Sequence, residues 1–385
     1  MKKIISVLSA VCLLGAGAFS CGFKIKESGT SLTTGCKASY LMDFDSGECI
    51  FKENEYQRIP IASVCKVMTL TLAMDAVKEG KISLTDTVTA SDNAAGMGGS
   101  QVFLGSGCEY TIDQLLKSIV VCSANDSCVA ISETVAGSED IFVAQMNKKA
   151  EELGCKDTLF ANCTGLPKEP QYSCAHDVAL MFSNLLSHEN YFNYSKIWLE
   201  DFAHPDNRTT TMTNTNKLIR KYSNCDGGKT GFTNEAGFCL AATAKKDNMR
   251  LISVILGADS SDNRFKSTVN MFDFGFANYK NKIILDKDIT LNDKFSVSGG
   301  KKDDFEVCPE RNSYVFSAID KSPEVTFSLT AQKVKAPVEK GQIVGQIEVF
   351  KDGILYDTVN VVSAENVQKA GFGDNLVNIA GEWAI

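Results

Sequence analysis

Ser63 and Lys66 open a stretch of otherwise small and apolar residues, Pro60-Ile61-Ala62-Ser63-Val64-Cys65-Lys66-Val67-Met68-Thr69. The apolar pattern continues through Leu70, Leu72, Ala73, Met74 and Val77 to Glu79-Gly80-Lys81. It reads as a helix closed by a glycine C-cap, with a face that belongs in a core. The fold must therefore mount a lysine on a buried, rigid element. Residues three apart share a helix face, so the two side chains are within reach of each other. A serine hydroxyl is inert at neutral pH unless a neighbour takes its proton, and a lysine can do so when burial and nearby cations keep it neutral. A helix start also favours a developing oxyanion.

The spacing alone is weak, because it recurs at Ser298-Gly299-Gly300-Lys301, where two glycines mark a loop. What separates Ser63 is the order of later residues, Ser123-Ala124-Asn125 and then Lys229-Thr230-Gly231. The Ser-x-Asn pattern also occurs at Ser91-Asp92-Asn93 and Ser261-Asp262-Asn263, whereas Lys-Thr-Gly occurs once. Ser123 falls at a helix junction, where it either points into a cleft or caps the helix beginning near Asp126. Lys229 falls on or beside a strand edge as a cation facing that cleft.

At 385 residues the chain is long enough for two domains, and its 44% apolar and 22% charged residues are those of a globular protein. A net charge of -8, with no basic patch, argues against nucleic acid as a partner. Residues 1–20 read as a signal peptide: Lys2 and Lys3, an apolar run from Ile4 to Phe19, then small residues. The chain has fourteen cysteines. Removal of the leader with Cys12 can leave an odd thirteen, and Cys65, Cys122 and Cys128 fall in packed helical segments, so free buried thiols are expected rather than disulfides. His176, His188 and His204 have no ligand spacing, so neither a metal nor another cofactor is expected.

Along the chain, Ala38 to Phe51 carries a β-hairpin signal around Asp45-Ser46-Gly47-Glu48. Ser91 to Gly107 is rich in small residues and reads as a surface loop. Thr111 and Gln114 have the spacing of a capping box. Helices are expected near 144–153 and from Ala175. The runs at 236–242 and 251–257 read as neighbouring strands joined at Lys245-Lys246-Asp247-Asn248. Beyond about Lys282 the pattern changes to short alternating stretches, near 294–297, 314–318, 324–329, 343–350 and 354–362, which implies a small all-β domain. The expected divisions are 1–20, 30–282 and 283–385.

With these residues in hand, the chain resembles a low-molecular-mass penicillin-binding protein of the D-alanyl-D-alanine carboxypeptidase family. Beyond the three motifs, the resemblance rests on Met146-Asn147-Lys148-Lys149-Ala150-Glu151-Glu152-Leu153-Gly154, Thr164-Gly165-Leu166-Pro167, Asp226-Gly227-Gly228-Lys229-Thr230-Gly231-Phe232-Thr233 and Ala336-Pro337-Val338-Glu339-Lys340-Gly341. It implies an α/β fold: a serine β-lactamase-like and penicillin-binding-protein-like catalytic domain, an antiparallel sheet flanked by helices, followed by a small β-rich domain. It further implies Ser63 as the acylated nucleophile, Lys66 as its base, and Ser123 as a proton relay. Asn125 would donate to the substrate amide, and Lys229 and Thr230 would bind the terminal carboxylate. Gly231 would keep the strand flat, and the backbone N–H groups of Ser63 and Phe232 would hold the oxyanion. Cys65, Cys122, Cys163 and Cys174 depart from the residues usual in the family.

The partners so implied are peptidoglycan stem peptides ending in D-Ala-D-Ala, and β-lactam antibiotics. A β-lactamase shares the three motifs, but the chain is read as lacking a second-acid loop of the Glu-x-x-x-Asn kind between Asn125 and Lys229. Endopeptidase action on cross-links and a catalytically silent wall-binding protein are the remaining alternatives. The protein is expected outside the cytoplasm, at the outer face of the membrane or the wall. Its apolar tail, Leu376 to Ile385, lacks the cations of a surface-lying helix, and Ala18-Phe19-Ser20-Cys21 is an imperfect lipoprotein site, so membrane association is expected to be weak or peripheral.

Overall fold

A computed structural model describes residues 31–371. The leader, Cys21 and the 376–385 tail, on which the expectations of export and anchoring rest, lie outside the described residues. The catalytic region is built on a five-stranded antiparallel sheet in the order Cys49–Glu53, Ala38–Asp43, Met249–Ala258, Gly237–Lys246, Cys225–Thr233. The expected hairpin forms its first edge, and the strand carrying Lys229 forms the other. The turn expected at 245–248 narrows to Asp247 and Asn248, with Asp247 in the left-handed region at φ 52°.

Side chains alternate across a strand, and this sheet is buried on both faces. From the Gly237–Lys246 strand, Cys239 and Ala241 face the larger core with Val67, Leu70 and Val178. Leu240, Ala242 and Ala244 face the other core with Phe265, Met271 and Phe272 of the Ser261–Asn278 helix. Burying each such large side chain stabilises by about 1.5–3 kcal/mol, which is what holds the Lys66–Lys78 helix at the centre of the larger core.

That helix differs from expectation at its start. The α-helix begins at Lys66, and Ala62–Cys65 forms a 3-10 turn before it, entered through Ala62 at φ 47°. Side chains at i and i+3 eclipse in a 3-10 turn, which aligns Ser63 with Lys66 more closely than an α-turn would. The helix closes as expected: Gly80 has φ 71°, its N–H donates to Val77 O at 3.1 Å, and Lys81 N–H donates to Ala76 O at 2.9 Å. The capping box at Thr111 and Gln114 is complete.

The 91–107 segment is not simply a loop over the surface. Asp92–Ala95 is a short helix, and Val102 and Leu104 are buried because their backbone N–H groups donate to the carboxylate of Asp126. The twelve cysteines among the described residues are free thiols, most of them buried. Burial pushes the Cys65 thiol up to about 12, so it behaves as a small apolar side chain.

After Asn278 the chain passes directly into the strand Tyr279–Leu285, which pairs with Ser313–Ala318. A four-stranded sheet follows, containing Val325–Ala331, Ile343–Lys351 and Ile354–Ser363, close to the expected stretches. This β-rich region is tied to the catalytic region by Asn281 Nδ2 donating to Asp43 Oδ1 at 2.8 Å and by Lys351 paired with Glu48 at 2.5 Å.

Candidate active site

The three sequence motifs, spread between Ser63 and Gly231 in the chain, meet in one place. Lys66 and Lys229 are 0% and 1% exposed, and each side-chain nitrogen is set against a serine. Lys66 Nζ lies 3.0 Å from Ser63 Oγ, 2.7 Å from Asn125 Oδ1 and 2.5 Å from the Thr164 carbonyl oxygen. The last two can only accept, so an amine that gives both its hydrogens to them turns its lone pair to the serine hydroxyl. Lys229 Nζ donates to Ser123 Oγ at 2.8 Å and to the Thr230 carbonyl at 3.1 Å. Burial, with the nearby Lys66 charge second, brings Lys229 down to about 7.

Ser123 ends the Ile112–Cys122 helix at φ 67°, and Ala124 rather than Ser123 is the N-cap of the next helix. The left-handed turn points Ser123 Oγ at Lys229 instead of back to the helix N–H groups, so its capping alternative is not what the structure contains. Asn125 opens the Asn125–Ala136 helix. Its amide bridges the site: Oδ1 accepts from Lys66, and Nδ2 donates to Gly98 O at 2.7 Å.

Gly231 lies where the sheet edge meets the 3-10 turn. A Cβ added there would fall 2.8 Å from Ile61 O and 2.9 Å from Ser63 N, so only glycine lets the strand come this close. Thr230 Oγ1 donates to Thr215 Oγ1 at 2.7 Å. Phe232 stands apart from this cluster: its ring is 52% exposed and packs on Phe238 with centroids 4.3 Å apart.

Several contributors carry no motif. Asn162 Oδ1 accepts from the N–H groups of Thr164 and Gly165, at 3.2 and 2.7 Å, and so fixes the turn that presents Thr164 O to Lys66. A Cβ on Gly165, at φ 80°, would collide with the Ala62 carbonyl. The turn-forming asparagine and glycine were visible signals. Arg264 was not: it is buried, and its guanidinium donates to Gly231 O and Cys239 O, both at 3.2 Å.

One sequence reading needs correction. Glu189-Asn190-Tyr191-Phe192-Asn193 does have the Glu-x-x-x-Asn spacing. Glu189 lines a cavity with Met74, Val77 and Lys78, at the opposite end of the helix from Lys66, so it brings no second acid to the site.

Residues 26–260 match the family model described as D-alanyl-D-alanine carboxypeptidase, and residues 279–369 match that of the penicillin-binding protein 5 C-terminal domain. The chain is 37% identical over 389 residues to the D-alanyl-D-alanine carboxypeptidase DacF of Bacillus subtilis, covering 100% of this chain and 99% of that protein. It is 32% identical to DacC of Escherichia coli, covering 91% and 88%. Penicillin-binding protein 5 from Haemophilus influenzae superposes with a TM-score of 0.67 at 29% identity, over 87% of this chain and 98% of that one. Matched on both of its regions and along its whole length, the chain belongs to the D-alanyl-D-alanine carboxypeptidase family.

Proposed function

We propose that this serine-type carboxypeptidase removes the terminal D-alanine from peptidoglycan stem pentapeptides through an ester on Ser63. The observation that carries this reading is the pairing of two buried lysines with two serine hydroxyls, Lys66 with Ser63 and Lys229 with Ser123.

Lys66 takes the Ser63 proton as Oγ adds to the carbonyl of the penultimate D-alanine. The N–H groups of Ser63 and Phe232 receive the oxyanion; the closeness of Gly231 to Ser63 N supports this role. Collapse expels D-alanine, whose amine gains a proton relayed through Ser123, and water then cleaves the ester with Lys66 again as base. Lys229 and Thr230 hold the terminal carboxylate by charge and hydroxyl, and Asn125 contacts the substrate amide. A β-lactam presents a strained amide and a carboxylate with similar spacing and is taken as a substrate that stalls at the ester. Peptidoglycan lies outside the cytoplasm, and we infer an exported protein held weakly at the outer face of the cell membrane or at the wall.

The test is to incubate the purified protein with a pentapeptide ending in D-Ala-D-Ala and measure free D-alanine. Stoichiometric release is expected, and none from the same peptide ending in D-Ala-L-Ala. Absence of D-alanine release would refute the reading.

A further inference from the structure

Resting on that reading, the positions of the anchoring groups fix the direction in which a substrate lies. Its carboxylate is held at Lys229 and Thr230, and its scissile carbonyl is held at Phe232. Both are on one extended strand with about 3.3 Å between successive residues. The part of the peptide on the acyl side of the scissile bond therefore continues past Phe232 towards Asn234. An open groove of about 670 Å3 lies there, lined by the Phe232 and Phe238 rings, Asn234, Lys37 and Asp259.

The groove has two parts. Near the site it is aromatic: Phe232 is half exposed although it packs on Phe238, and the two rings offer an apolar surface to an alkyl chain. Farther on it is charged with both signs. Lys37 is exposed and makes no ion pair among the described residues. Asp259 is exposed, pairs with no cation among the described residues, and accepts at Oδ1 from the Asn263 amide at 2.7 Å. Glycines bring these two groups to the groove wall. A Cβ on Gly257, at φ 65°, would lie 2.6 Å from Lys37 Cδ, and one on Gly35, at φ 62°, would overlap the Asp259 carboxylate.

We propose that this groove is the subsite for the stem-peptide residue preceding D-Ala-D-Ala, and that it selects a side chain ending in both an ammonium and a carboxylate. The alkyl part lies on Phe232 and Phe238, the ammonium meets Asp259, and the carboxylate meets Lys37. A side chain ending in an ammonium alone keeps the first contact but sets its charge near Lys37 with no carboxylate to balance it.

The test compares kcat/KM for D-alanine release from two pentapeptides differing only at the third residue, meso-diaminopimelate or L-lysine. The expected ratio favours diaminopimelate by about two- to fivefold, the range that one partly exposed charge pair supplies. Lys37→Met should bring the ratio close to one, and Lys37→Arg should keep most of it. Penicillin acylation of Ser63, measured on the same preparations, reports the catalytic reading separately. Acylation and D-alanine release with equal kcat/KM on both peptides would overturn the subsite while leaving the activity standing. Failure of both acylation and release would overturn the activity and the subsite together. A ratio that Lys37→Met leaves unchanged would also overturn it.

Discussion

Lys66 and Lys229 are both buried, and each faces a different serine, Ser63 and Ser123. Lys66 is surrounded by acceptors and touches the Ser63 hydroxyl, so its replacement by arginine, which keeps charge but does not deprotonate, should lower penicillin acylation about 1000-fold. Stopped-flow or gel-based acylation kinetics check this, and a normal rate would mean another base. In the proposed function Lys229 binds the substrate carboxylate, so Lys229→Ala should cost a free-acid peptide at least tenfold more than its C-terminal amide. Equal losses would remove that role. Lys229 also has a stability signature. Its value falls from 10.5 in the unfolded chain to about 7 in the folded one, so the folded state holds fewer protons between those limits. The cost of burying this charge is fully felt below pH 7 and fades as pH rises towards 10.5. Wild-type Tm should therefore rise relative to Lys229→Met between pH 6 and pH 9, and parallel curves would contradict the assignment.

At the level of elements, the site depends on three turns packed against one strand edge, and these turns were the least legible part of the sequence. The Ala38–Asp43 hairpin, the Thr111 capping box and the Gly80 C-cap were readable because each is settled by residues within a few positions of one another. The Ser123, Asn125 and Lys229 motifs were readable because they recur in order, but motif order says nothing about what holds them. Asp126 is an example: its neighbour Asn125 carries the motif, while Asp126 itself pins Val102 and Leu104 from more than twenty residues away. Its burial raises the carboxyl above its ordinary value, and these N–H donors offset part of that. Asp126→Ala should cost about 2–3 kcal/mol by leaving buried N–H groups unpaired, and should slow acylation by loosening the Gly98 contact to Asn125. Chemical denaturation and acylation kinetics read the two effects; a variant as stable as wild type would show that the 91–107 segment is held by other means. Gly165 was likewise visible as a turn residue but not as a contact of Ala62, because that contact joins segments a hundred residues apart.

For the whole molecule, the β-rich region was legible from its period-two pattern and short spacing, yet how it attaches was not. The strand Tyr279–Leu285 continues directly from the last catalytic helix, and Tyr279 stacks on Phe316 with ring centroids 5.1 Å apart. Asn281 then reaches a buried aspartate in the hairpin, Asp43, whose carboxyl burial raises to about 6. Asn281→Ala should lower stability by about 1.5–3 kcal/mol, the scale of a buried hydrogen bond to a charged group, with acylation of the remaining folded protein unchanged. Loss of acylation in parallel with stability would mean that the β region shapes the site itself. The proposed function requires Ser63 Oγ to be the atom that becomes acylated. Intact-protein mass spectrometry after brief exposure to penicillin G tests it most directly: wild type should gain the mass of one drug molecule, on the peptide containing Ser63, and Ser63→Ala should gain none. A Ser63→Ala protein that still carries the adduct would contradict it.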